Sequence, residues 1–154
     1  MGRREKEKQH AVDWLSIASL GFFLILLGAI WAGTPKLNDE ALKFFQDFNL
    51  VNLNGNIFLP APVHVQNHTT VYMVAFHFCL AFGILQAAIL AVRFILHEPL
   101  SKKADTLSGV GFWLTISIFL RMLADGAIGW FGFVGGLVIS IGVAISAGSM
   151  LKLL

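Results

Sequence analysis

Leu20-Gly21-Phe22-Phe23-Leu24-Ile25-Leu26-Leu27 is the stretch whose reading decides the fold. It lies inside a segment, Trp14 to Pro35, that holds no Asp, Glu, Lys or Arg. A bilayer core about 30 Å thick is crossed by roughly 20 apolar residues as a helix. In hydrocarbon every backbone N–H and C=O must be bonded within the protein, and a helix does this with no outside partner. The segment therefore predicts a first membrane span over about residues 13–34, closed by Gly33-Thr34-Pro35. Arg3, Arg4, Lys6 and Lys8 precede it in the manner of a signal peptide. The apolar run is too long for that, and no small-x-small cleavage site stands clear of it, so a retained span is expected.

Working outward, three more charge-poor segments follow. Thr70 to Val92 predicts a span over about 70–96 that stops before Pro99. Thr106 to Leu120 is charge-free and then meets Arg121 and Asp125, which predicts 106–125. Gly126 to Leu151 predicts 127–151. The expected fold is an all-α membrane protein: a four-transmembrane-helix bundle forming one integral domain over residues 1–154, with an outer cap over 35–69.

Composition agrees. Hydrophobic residues make up 56% and charged residues 13%, against about 25% charged in soluble domains. This excludes a disordered chain, a collagen, a coiled coil and an ordinary soluble enzyme. The single cysteine excludes an intrachain disulfide, a Cys-rich zinc site and a Cys-x-x-Cys redox centre. The net charge of +2 is spread over short clusters, so no basic surface for nucleic acid is expected. Lys and Arg crowd residues 1–13, the segment between spans two and three (Arg93, Lys102, Lys103) and the end (Lys152). The long first loop carries only Lys36 and Lys43 against Asp39, Glu40 and Asp47. By the positive-inside rule both termini are expected on the cytoplasmic side of a cell membrane, crossed in several passes. Trp14 then falls at the inner boundary, and Trp31, Tyr72 and Trp130 near the outer one.

In the outer loop, Asn38 is expected to cap a short amphipathic helix, with Asp39 and Glu40 in its first turn. Val51-Asn52-Leu53-Asn54-Gly55-Asn56-Ile57-Phe58-Leu59 reads as a β-hairpin around Asn54-Gly55. Pro60-Ala61-Pro62 reads as an extended connection to span two.

Lipid is as apolar as leucine, so membrane helices associate through small residues and interhelical hydrogen bonds. Gly132, Gly136, Ser140, Ala144 and Gly148 recur every four residues in span four. They predict a helix-packing row, used within the chain or as a seam between protomers. Gly21 and Gly28 could offer a complementary surface.

Three constellations are candidate sites. Tyr72, Cys79, Gln86 and Arg93 fall at heptad spacing on one face of span two. They read either as interhelical glue, with Arg93 reaching the inner headgroups, or as a polar line along a pore. Arg121 and Asp125 are four apart near the outer end of span three and predict an ion pair, structural or marking an outer mouth. His64 and His68 are also four apart; were they helical, two imidazoles would share a face toward a metal. No third ligand is evident beyond loop carboxylates, so no metal and no cofactor are expected. His77 is expected to be a hydrogen-bonded interior histidine, and His10 and His97 to be solvated. No catalytic triad, phosphate loop or carboxylate pair is present, so an enzyme is not expected. The expected role is a non-catalytic subunit in a lipid bilayer, as a homo-oligomer or with a membrane-complex partner. The alternative is a small oligomeric channel or transporter lined by the polar stripe.

Overall fold

The computed structural model describes residues 2–52, 55 and 57–153, with side chains from Trp14 onward. The order is α1 (Gly2–Gly33), α2 (Leu37–Gln46), β1 (Phe48–Asn52), β2 (Phe58–Pro62), a 3-10 turn (Val65–His68), α3 (Thr69–Ile95), α4 (Leu100–Ala124) and α5 (Trp130–Lys152). Four segments are long and apolar enough to cross a membrane: Trp14–Gly33, Val65–Ile95, Leu100–Ala124 and Trp130–Lys152. Four such helices are what the sequence leads one to expect; their starts differ most at the second and third, which begin at Val65 and Leu100 rather than at 70 and 106. α4 starts at Leu100, a turn and a half before the expected 106, because a charge-free window discards Lys102, Lys103 and Asp105. A helix needs no such window. Pro99, extended at φ −55° and ψ 144°, sets its first turn. The side chains of Arg3, Arg4, Lys6, Lys8 and His10 lie outside the described residues, as does Asn54.

α4 is the centre of the bundle. It packs along α3 on one flank and α5 on another, while α1 rests on α3. Among the described residues no comparable seam joins α1 to α5, so the bundle is open on that side. Glycines set the two close seams. A Cβ at Gly83 of α3 would stand 2.6 Å from Leu114 Cδ2 of α4. A Cβ at Gly136 of α5 would run into the Phe119 ring, and one at Gly148 into Ser108 Oγ. Gly111 of α4 returns the fit, with Val143 Cγ1 3.3 Å from where its Cβ would be. Absent side chains let backbones approach, and dispersion then accumulates along the seam.

The row on α5 therefore faces α4. Gly136, Ser140 and Gly148 are buried and Ala144 is half-buried. Ser140, fully enclosed, donates its hydroxyl to the Gly136 carbonyl at 2.8 Å, a bond back along its own helix that leaves no polar group exposed to lipid. Gly132 does not join the seam. It is exposed, and a Cβ there would meet only Ile128 of the preceding turn.

The cap differs from expectation in two details. α2 is preceded by Lys36 in the left-handed region (φ 62°), with no side-chain cap bond; Asn38 is inside the helix. The turn Thr34-Pro35-Lys36 closes on itself through Leu37 N–H to the Thr34 carbonyl, 3.3 Å, and Leu37 is buried as an anchor. Helix entry is thus fixed at Lys36 and Leu37, before Asn38 could act. The hairpin forms, with Phe48 opposite Pro62 and Asn52 opposite Phe58. Pro60-Ala61-Pro62, read as an extended connection to span two, is paired within β2. Proline fits because a two-stranded sheet has only edge strands. The turn is longer than a two-residue Asn-Gly loop: Asn52 Oδ1 accepts the Gly55 N–H at 2.7 Å, and Gly55 takes φ +80°.

Candidate functional site

The densest polar cluster forms where α2 ends. Asp47 is the C-cap residue of α2, its N–H bonded to the Lys43 carbonyl at 3.0 Å. Its own carbonyl accepts the Val63 N–H at 3.1 Å. Its carboxylate accepts three more donors: the His64 N–H at 2.7 Å, His64 Nδ1–H at 2.9 Å and His68 Nε2–H at 2.9 Å. One residue thereby ties α2, the end of the hairpin and the start of α3. A carboxylate only accepts, so these bonds assign the ring protons of both histidines. They also hold the Asp47 carboxyl well below the usual carboxylate range, the His64 side-chain bond first and the His64 backbone bond second. Beside it, Lys43 bonds Glu40 at 2.8 Å, which lowers the Glu40 carboxyl and raises the Lys43 amine.

These groups line an open cleft of about 570 Å³ with Gln46 and Asn67. Below it the aromatic floor is Phe44, set edge-on to His68 (5.3 Å) and Tyr72 (5.8 Å). His68 Nδ1 and the Tyr72 hydroxyl are buried there without a partner.

His64 and His68 do come together, but not on a shared α-helical face. They bracket a 3-10 turn and both point at Asp47. Among the described residues no group of three or more His, Cys, Asp and Glu is set to hold a metal ion. Sequence reading missed Asp47 as the hub. Its partners lie 17 and 21 residues away, a distance closed by the hairpin rather than by helical spacing.

The stripe on α3 is turned inward and shared among neighbours. Tyr72, Cys79 and Arg93 are buried and Gln86 half-buried. Tyr72 packs with Leu123 and Ala124, and Cys79 with Ile116 and Leu120. Gln86 donates to Ser19 Oγ of α1 at 3.1 Å. Arg93, expected to reach the headgroups, is instead enclosed with 6% of its surface exposed. It bonds Glu98 at 3.0 Å and Ser16 Oγ of α1 at 3.4 Å. Glu98 is placed for this by the tight turn that ends α3, its N–H bonded to the Arg93 carbonyl.

Arg121 and Asp125 form the expected pair at 2.7 Å, half-exposed on both sides. Arg121 also reaches Met73 Sδ (3.7 Å) and lies over the Phe76 ring. His77 departs from expectation: its Nδ1–H donates to the Met73 carbonyl at 2.7 Å, but the ring is exposed. His97 is exposed, in a left-handed turn at φ 52°. Comparison with known families, curated proteins and solved structures gave no match to this chain.

Proposed function

We propose that this multi-pass membrane protein is a non-catalytic subunit that works through helix contacts, as a homo-oligomer or within a larger complex of the cell membrane. One observation carries the reading. Among the described residues α1 has one extended contact, with α3, and Gly21 and Gly28 have nothing within 4 Å of a Cβ; Gly135 and Gly142 of α5 are open in the same way. Each glycine in a helix interior costs about 1 kcal/mol relative to alanine. Inside the chain these four return no packing for it. A helix of another chain, approaching closely, would. The α3 stripe favours this reading over a channel or transporter, since its polar groups face protein neighbours on α1, α4 and the α3–α4 turn.

Lys152 bonds Asp105 at the start of α4, and Arg93 bonds Ser16 near the start of the apolar part of α1. The start of the apolar part of α1, the α3–α4 turn and the α5 end thus share one face. The Lys and Arg bias of those segments supports placing that face in the cytoplasm.

The test is mass measurement of the full chain in mild detergent and in lipid nanodiscs. A dimer, a higher oligomer or a co-purifying membrane chain is expected. The double substitution Gly21→Leu and Gly28→Leu should release monomers without lowering the melting temperature. A lone monomer in both media defeats the reading.

A further inference from the structure

From the structure we infer that the β1–β2 hairpin is a membrane-surface element, resting its apolar side chains on the acyl boundary of the leaflet beside α5. The sequence from Phe48 to Val63 contains no Asp, Glu, Lys, Arg or His. The charge of the cap lies in and beside α2 instead, on Lys36, Asp39, Glu40, Lys43 and Asp47. At its base the hairpin is covered, with Ala61 and Pro62 buried and Phe48 set edge-on to Phe44 and Trp130. Beyond the base it projects apolar groups that no described residue covers. Leu50 is 68% exposed, and Ile57 and Phe58 are each 56% exposed. Leu50 and Phe58 lie on one face of the ladder, each opposite or next to Pro60 in register.

Trp130 fixes the level at which this happens. It is the first residue of α5, the position where an amphipathic ring sits among headgroups, and its indole N–H donates to the Pro60 carbonyl at 3.2 Å. The hairpin is therefore tethered at the bilayer boundary itself. Water at that level would meet the exposed Leu50, Ile57 and Phe58 side chains, and a two-stranded hairpin is marginal in water. The depth is bounded from the other side as well. Both strands are edges with unpaired backbone groups, which hydrocarbon does not tolerate. The ladder must stay among headgroups while Leu50 and Phe58 reach the first acyl carbons. Since the hairpin is uncharged, the fitting surface is zwitterionic lipid as readily as anionic lipid.

The experiment uses the full chain in phosphatidylcholine vesicles on a Cys79→Ala background. Leu50→Cys and Phe58→Cys, on opposite strands, carry an environment-sensitive fluorophore; Lys43→Cys in the charged part of the cap is the reference. Labels at 50 and 58 should be quenched by iodide several-fold less than the label at 43. They should be quenched more by lipids spin-labelled high on the acyl chain than by lipids labelled near its end. Equal iodide access at all three positions overturns the inference. So does protection at 50 and 58 without lipid quenching, which would mean that a protein surface, such as a second copy, covers the hairpin.

Discussion

α5 meets α4 backbone to backbone, whereas α1 meets α3 through the tips of its side chains. On α5, Gly136 and Gly148 leave room for Phe119, Ser108 and the Ala104 carbonyl, and Ser140 turns its hydroxyl inward so that nothing polar obstructs the seam. On α1, contact rests on Phe23 edge-on to Phe78 and Phe82, and on Ser16 and Ser19 accepting from Arg93 and Gln86. Membrane helices gain little from hydrophobicity against one another. The glycine seam gains from many close atom pairs. The α1 seam gains from a few bonds, each worth about 0.6 kcal/mol in membrane proteins. α4–α5 is thus the permanent part of the molecule, and α1 the helix most easily exchanged for another partner.

The largest effect should come from the buried pair that closes the α1 side. Arg93 and Glu98 side chains are each 8% exposed. Arg93→Met strands the Glu98 carboxylate and should cost about 3 kcal/mol, read as a fall in melting temperature in nanodiscs. Adding Glu98→Gln should recover more than half. If the double variant is as unstable as the single one, the contact to Ser16 outweighs the pair and α1 is docked firmly rather than exchangeably.

Next is a paired substitution on α5. Gly136→Leu forces a side chain into Phe119 and should cost about 2 kcal/mol. Gly135→Leu, one residue away, meets open space within the chain and, in the detergent-dispersed monomer, should leave the melting temperature unchanged or slightly raised by helix propensity. Equal losses at both would show that α5 is not held by one face. Gln86→Leu, which removes the bond to Ser19, should cost about 0.6 kcal/mol.

The same contrast separates what the sequence disclosed from what it withheld. Spans were legible because hydrocarbon imposes length and apolarity on every residue of them. The α5 row was legible because residues four apart share a helix face, so Gly136, Ser140 and Gly148 declare their seam locally. The α3 stripe was legible as a face, but its fate was not. Whether Arg93 reaches lipid or pairs within the chain depends on the turn that brings Glu98 back. Asp47 was illegible as a hub for the same reason: its partners arrive across a hairpin. Asn38 misled because capping propensity is local, while the entry of α2 is set by Leu37 being buried.

The Asp47 hub gives a smaller, local effect with a definite sign. Its carboxyl is depressed below the usual range on folding, so its contribution is present above the ordinary carboxylate pKa and is lost as pH falls through the depressed value. The cap should stay docked through mildly acidic pH. Asp47→Asn should remove this acid dependence and loosen the cap at every pH, seen as faster proteolysis near Val63 with intact spans. Loss of the spans as well would mean that the cap holds the bundle together rather than resting on it.

The smallest effect tests the other end of α4. Arg121 and Asp125 are both half-exposed, and an exposed pair four residues apart is worth about 0.3–0.5 kcal/mol. Arg121 sits in the last turn of α4, where the helix dipole favours a cation, and Asp125 at the C-cap, where it disfavours an anion. The two preferences oppose, so the pair holds Asp125 in place more than it stabilises the fold. A double-mutant cycle of Arg121→Gln and Asp125→Asn should therefore give a coupling of no more than about 0.5 kcal/mol, shrinking further in high salt. Arg121→Gln alone should lose slightly more, since it also removes the contacts with Met73 and Phe76. If Arg121→Gln instead changes oligomeric state while stability holds, the residue belongs to a contact between chains, and the open α1 flank is not the only face on which a partner sits.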